Sequence, residues 1–194
     1  DLETEIVLDE ITQKEKRVLN VESKVEDVTQ AILTMAKGST KSKEVNEITK
    51  QIISEVVSEE YRALGINSNP SSLYEDTADK SISNNFLGSK KKKMPTLGSW
   101  YRRLEKTAEA STNEDYRFHF SYLLKVMKQY IRDFGGQLAY FDGQSTFDLG
   151  DHVPFINLDI SQLEERFARP LAQQILLSWV WEKYVKKNSE DKKK

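Results

Sequence analysis

Two short glycine-containing stretches are the nearest approach to a phosphate-binding loop in this sequence. They are Gly38-Ser39-Thr40-Lys41 and Gly88-Ser89-Lys90. A P-loop needs closely placed glycines and a Lys-Ser/Thr pair after a strand, so that backbone N–H groups surround phosphate oxygens. Both stretches lack the second glycine, and neither follows a predicted strand. The sequence therefore predicts no cofactor-binding residue, and we expect this chain by itself not to bind ATP.

Histidines and carboxylates form no pattern typical of metal binding or acid–base catalysis. His119 and His152 are far apart, and no ligand pair has the i, i+4 spacing of a helical metal site. The absence of cysteine excludes disulfides, thiolate zinc sites and cysteine nucleophiles. Asp142 and the Glu164-Glu165 pair stand at the ends of predicted elements, where turn and helix-dipole roles explain them. We predict no metal-binding and no catalytic residue.

Basic residues cluster at one place, where a lysine run is followed by two arginines. They are Lys90, Lys91, Lys92, Lys93, Arg102 and Arg103. Trp100 and Tyr101 lie among them, so one interpretation is a contact with nucleic acid or with an acidic partner. The other interpretation, which we favour, is a solvated linker followed by a helix whose aromatic residues face the core.

Composition limits the class of protein. The 194 residues include 29 basic and 31 acidic ones, for a formal net charge of −2, which excludes a globally basic nucleic-acid binder. No apolar run approaches the roughly 18 residues of a membrane span, and the start does not resemble a signal peptide. The absence of cysteine fits a reducing compartment. Both ends of the sequence suggest cuts within a longer protein.

The elements that must position these residues are mostly helical. Residues 1–66 are predicted to form a helical hairpin: a helix over residues 9–36 with an apolar stripe at spacings of three and four, then a second helix that begins near Ser42 and ends at Gly65. Residues 67–95 are rich in Ser, Asn and Asp and are predicted to be a polar, basic linker.

The second half is predicted to contain further helices and a short β segment. Residues 96–137 form a helical segment, with one helix capped by Thr96 and another that starts at Ser111 and Thr112. Residues 138–194 form a strand–helix unit with strand candidates at 146–149 and 154–159 and a helix over residues 169–186. The predicted fold class is mainly α, a helical bundle with a short C-terminal β-strand–helix unit.

The order of motifs in the second half suggests a family. The stretches that carry the resemblance are Pro95-Thr96-Leu97, the turn at residues 139–146 (AYFDGQST), the strand at residues 155–160 (FINLDI), and the helix that starts Arg169-Pro170-Leu171-Ala172. In this order they resemble the conjugative-transfer ATPases of type IV secretion systems, the VirB-four kind, within the HerA/FtsK-like group of P-loop NTPases. Asn157 departs from the apolar residue that the family has in this strand.

The resemblance implies that the chain is a fragment between the Walker A and Walker B motifs: the family's helical insertion plus a strand–helix unit of its α/β motor core. None of the family's catalytic residues falls on this chain. The parent would use ATP and magnesium, assemble as a homo-hexamer at the cytoplasmic face of the cell membrane, and contact secretion-channel proteins, with DNA as a further possible partner during conjugative transfer. The alternative is a self-contained helical protein-interaction module without ATPase activity.

Overall fold

A β-hairpin and five α-helices make up the regular structure of this mainly α-helical protein, as far as it is described. The computed structural model describes residues 2, 4–8, 14–39, 46–75, 90–144, 160, 161, 163 and 168–186. Strands β1 (Thr4–Leu8) and β2 (Glu15–Leu19) pair antiparallel, with Ile6 opposite Arg17. The helices are α1 (Val21–Ser39), α2 (Glu47–Ala63), α3 (Leu97–Ala110), α4 (Glu114–Met127) and α5 (Ala168–Val180), and a π-helical turn, Trp181–Lys186, extends the last one.

Three helices begin directly after an asparagine. The side-chain oxygens of Asn20, Asn46 and Asn113 accept hydrogen bonds from backbone N–H groups in the first turns of α1, α2 and α4. The predicted helix over residues 9–36 is therefore wrong in its first part, because residues 15–19 form β2 and Asn20 caps the helix. The predicted helix starts at Ser42 and at Ser111 and Thr112 are also wrong, because these two helices begin after Asn46 and Asn113.

Other helix ends agree with the sequence. Thr96 caps α3 in a capping box, in which Ser99 N–H lies 3.4 Å from Thr96 Oγ1 and Thr96 N–H donates to Ser99 Oγ at 2.8 Å. Gly65, with φ of 68°, ends α2 as predicted. The predicted helix over residues 169–186 is confirmed in extent. Pro170 lies in its first turn, where a missing N–H costs little.

The core lies where α1 meets its neighbours. α1 packs against α2, α4 and α5, while α3 packs against α2 and α4. The side chains buried between these helices include Ile32, Val57, Leu104, Leu123 and Leu171. Their spacing follows the apolar stripes of the predicted helices, so burial of these stripes holds the bundle together.

The predicted linker, residues 67–95, is anchored at both of its described ends. Residues Pro70–Leu73 form a 3₁₀ turn that buries Leu73, and Tyr74 forms an antiparallel bridge with Lys91. Glu75 N–H donates to Lys90 O at 2.9 Å, and Lys92 N–H donates to Leu73 O at 2.8 Å. A further bond, from Leu19 N–H to Ser68 O, joins this segment to β2. Residues 76–89 lie outside the described residues.

A series of 3₁₀ turns follows α4 and returns the chain to the start of α3. Lys128–Tyr130, Arg132–Phe134 and Ala139–Phe141 each form one turn. Asp142, which follows the last of these turns, joins the first residues of α3 to the turn at Arg132. Its Oδ1 accepts from Gly98 N–H at 2.9 Å, and its Oδ2 accepts from Arg132 N–H at 3.1 Å. The predicted turn and helix-dipole role of Asp142 is thus seen as a clamp on the N-terminus of α3.

Ionisation of Tyr61 makes the stability of the fold depend on pH in the alkaline range. Its burial, with a smaller contribution from the Asp27 carboxylate, raises the pKa of Tyr61 to about 12. The unfolded tyrosine ionises near its ordinary pKa of about 10, while the folded one stays neutral. The contribution of neutral Tyr61 to the free energy of unfolding is therefore complete below pH ~10 and is lost as the pH rises from ~10 toward ~12.

We expect the free energy of unfolding to fall by about 2–3 kcal/mol over this interval because of Tyr61. Urea unfolding at closely spaced pH values measures the slope. In a Tyr61→Phe variant most of this slope should disappear, and Tyr101, whose pKa is also raised by burial, accounts for a remainder. An unchanged slope in Tyr61→Phe would show that other groups carry the alkaline sensitivity.

Candidate functional site

The basic cluster predicted from the sequence is largely engaged within the protein. Lys90 Nζ lies 3.6 Å from Glu75, and Lys92 Nζ donates to Leu64 O at 2.8 Å, at the C-terminal end of α2. Arg102 and Arg103 pair with Asp133 at 3.2 Å and with Glu60 at 2.8 Å. Lys91 takes part in the bridge with Tyr74, and Lys93 is exposed.

The two aromatic residues of this cluster face the core, as favoured from the sequence. Trp100 and Tyr101 are both buried. Stacking on nucleic-acid bases requires exposed rings, so these two side chains are not available for it in this structure. A contact of the lysines and arginines with nucleic acid or an acidic partner stays a prediction, without aromatic support.

The contacts of His119 indicate a structural role. It is buried on α4, and its Nδ1 lies 3.0 Å from Thr49 Oγ1 on α2, so it joins two helices of the bundle. The described part of the chain contains no group of three residues with metal-ligand chemistry. His152 and the Glu164-Glu165 pair lie outside the described residues, as do the strand candidates at 146–149 and 154–159.

Sequence reasoning missed an exposed apolar stripe on α5 and its π-helical extension. Leu177, Trp181 and Val185 recur every four residues, and their exposed fractions are 69%, 56% and 40%. We refer to these three residues as the α5 stripe. Exposed apolar residues are normal when scattered singly, whereas a row along one helix marks a surface suited to binding. The apolar spacing of this helix predicts an inward face that includes Leu171 and Ile175, but Ile175 is 40% exposed.

The helix that carries the stripe is attached to α1 by polar contacts. Ser178 Oγ donates to Asp27 Oδ2 at 2.9 Å, and Thr34 Oγ1 lies 2.5 Å from Gln174 Oε1. We refer to these two contacts as the polar seam. Apolar burial is concentrated at the start of α5, at Ala168, Leu171 and Ala172. In the C-terminal half of the helix, the α5 stripe faces outward, while Gln174 and Ser178 contact α1.

An open groove runs between the α5 stripe and α1. Its volume is about 730 Å³. Pro170, Leu177 and Trp181 supply its apolar surface and Ser23 and Asp27 of α1 its polar surface, and Gln173, Gln174 and Ser178 of α5 also line it. Such a groove can accept an amphipathic element whose apolar side meets α5 and whose donor or cationic group meets Asp27.

A second depression lies on the other side of the polar seam. It has a volume of about 400 Å³ and is bounded by α1, the start of α3 and α5. Trp100, Met35, Leu97 and Ile175 belong to its apolar walls, and Lys24 is among the polar residues that also line it. We refer to it as the inner cavity. In the described ranges no helix is both long and apolar enough to cross a membrane.

Comparisons with known proteins add no family to this description, since no protein-family model, no curated protein and no solved structure matches the chain.

Proposed function

We propose that this chain is a helical protein-interaction module that binds an amphipathic helix of a partner in the groove between α1 and α5. The observation that carries the proposal is the α5 stripe. Its three large apolar side chains stand at helical spacing, and two of them, Leu177 and Trp181, line the groove, where an apolar row of a partner helix can pack. Aromatic residues dominate the energy of such interfaces, so Trp181 is the expected centre.

Charge and polarity define the partner more closely. Asp27 lies in the α1 wall of the groove and uses one carboxylate oxygen to accept from Ser178. A lysine or arginine on the partner helix would complement this carboxylate, while apolar residues at i, i+4 and i+8 would face the stripe. The partner is therefore a helix with a narrow apolar row flanked by basic residues.

Selection from a displayed library of helical peptides tests this proposal. We expect the enriched peptides to share an apolar row with an adjacent basic residue and to bind at micromolar dissociation constants in calorimetric titrations. Trp181→Ala should weaken binding at least tenfold, because hot-spot tryptophans contribute about 2 kcal/mol or more. Leu177→Ala should have a smaller effect in the same direction.

Phe118→Ala is the matched control, since Phe118 is an equally exposed aromatic residue on α4. It should leave the affinity of the selected peptides unchanged. Thermal unfolding followed by circular dichroism checks that the three variants fold alike. Peptides that bind the Trp181→Ala protein as tightly as the parent protein would show that the site lies elsewhere.

The predicted relation to conjugative-transfer ATPases stays a prediction. The strand at residues 155–160, one of the stretches that carry the resemblance, falls almost entirely outside the described residues. If the chain is a piece of such a motor, the α5 stripe would serve contacts with neighbouring subunits or secretion-channel proteins, and the parent would hydrolyse ATP. A coding region with a G-x-x-x-x-G-K-S/T motif upstream and an Asp-Glu-terminated apolar strand downstream would support this relation.

A further inference from the structure

The inner cavity has the dimensions and walls of a small-molecule site. Its volume of about 400 Å³ falls within the range of ligand pockets, which is roughly 300–1,000 Å³. Ala31 and Met35 of α1, Leu97 and Trp100 of α3, and Ile175 of α5 contribute apolar surface from three helices.

One cation at the edge of the inner cavity is left without an acidic partner. Lys24 lines the cavity, and no carboxylate within the described ranges pairs with it. Two carboxylates near Lys24 have other partners: Glu26 pairs with Lys50 at 3.0 Å and accepts from Gln30 at 2.7 Å, and Asp27, which also lines the cavity, accepts from Ser178. An anion bound beside Lys24 would meet no competing ion pair on the lysine.

We propose that the inner cavity binds a medium-length monocarboxylic acid, with its apolar body between α1, α3 and α5 and its carboxylate on Lys24. The cavity volume equals that of about a dozen water molecules at ~30 Å³ each, which suits a molecule of about a dozen heavy atoms. Predominantly apolar walls with a few polar side chains, here Lys24, Asp27, Gln30 and Ser178 among others, are typical of sites that bind such amphipathic molecules. This site is distinct from the groove, which lies beyond the polar seam.

Calorimetric titration of the whole chain with decanoate, below its micellar concentration, tests the proposal, and decan-1-ol is the uncharged comparison. We expect one saturable site for decanoate. Lys24→Gln should weaken the binding of decanoate at least fivefold and leave the binding of decan-1-ol unchanged, because only the carboxylate of the acid contacts the lysine. Ala31→Phe, which fills the cavity from α1, should abolish binding of both.

Ala31→Leu takes the place of Ala31→Phe if the larger side chain prevents folding, and it should weaken both probes. Leu177→Ala, on the α5 stripe outside the cavity, should bind decanoate normally, so that failure of the groove and failure of the cavity can be told apart. The proposal is overturned by the absence of saturable decanoate binding, by a stoichiometry well above one, or by equal decanoate affinity in Lys24→Gln.

Discussion

Gly136→Ala is expected to lower the free energy of unfolding by about 3 kcal/mol or more, because a Cβ at this position has no room. It would lie 2.8 Å from Lys128 O and closer still to Gln129 O, and both are backbone atoms. The Gln129 carbonyl is held in place, since it accepts from Leu138 N–H at 2.9 Å. Relief of the clash requires a backbone shift, and overpacking of this kind costs about 1–3 kcal/mol or more.

Urea unfolding of the Gly136→Ala protein measures this cost, and the neighbouring glycine provides the control. Gly135 has a φ of 64°, and a Cβ added there would meet no atom within 4 Å apart from its chain neighbours. Gly135→Ala should therefore cost only the conformational strain of a left-handed residue, about 1–2 kcal/mol. A Gly136→Ala protein as stable as the Gly135→Ala protein would mean that the turn after α4 is loose.

Asp142→Ala is expected to destabilise the fold by about 3 kcal/mol. The buried carboxylate accepts from two backbone N–H groups, those of Gly98 and Arg132. Its removal leaves both donors without their partner, at about 1–3 kcal/mol for each buried group. It also removes a negative charge from the N-terminus of α3. Denaturant unfolding monitored by circular dichroism measures the loss.

Asp133→Ala serves as the matched control for Asp142. Asp133 is exposed and pairs with Arg102 at the surface, at 3.2 Å. Exposed ion pairs contribute about 0–1 kcal/mol, so this variant should unfold almost like the parent protein. Asp142→Asn should lie between the two, because the amide keeps one acceptor oxygen. Similar stabilities for the Asp142→Ala and Asp133→Ala proteins would rule out the clamp.

The helices were predictable from local signals, but not all of their starts were. The apolar stripes of α1 and α2 and the Thr96 capping box can be identified from the sequence alone, and the structure contains them. The errors share one cause. Asparagine is as good an N-cap as serine, so Asn20, Asn46 and Asn113 compete with nearby Ser and Thr or with an uninterrupted apolar spacing, and local signals do not decide between them.

The candidate site could not be predicted in the same way, because it depends on which helix faces are covered. The apolar spacing of α5 predicts that Leu171 faces inward, which is confirmed, and also Ile175, which is 40% exposed, so it does not by itself separate the covered face from the exposed one. That distinction comes from the position of α1, which meets α5 through Asp27 and Thr34. The partners of the basic cluster also come from distant residues, such as Glu60 for Arg103.

The polar seam also has a kinetic consequence. Its two contacts join residues that are 140 and 151 positions apart in the chain, whereas α1 to α4 follow one another closely. The entropy cost of closing a loop rises with its length, by about 0.6 kcal/mol for each doubling, and contacts between distant residues form slowly, so α5 should dock onto the bundle late in folding. The same helix should detach first in local opening events, and each detachment would remove one wall of the groove and of the inner cavity at once.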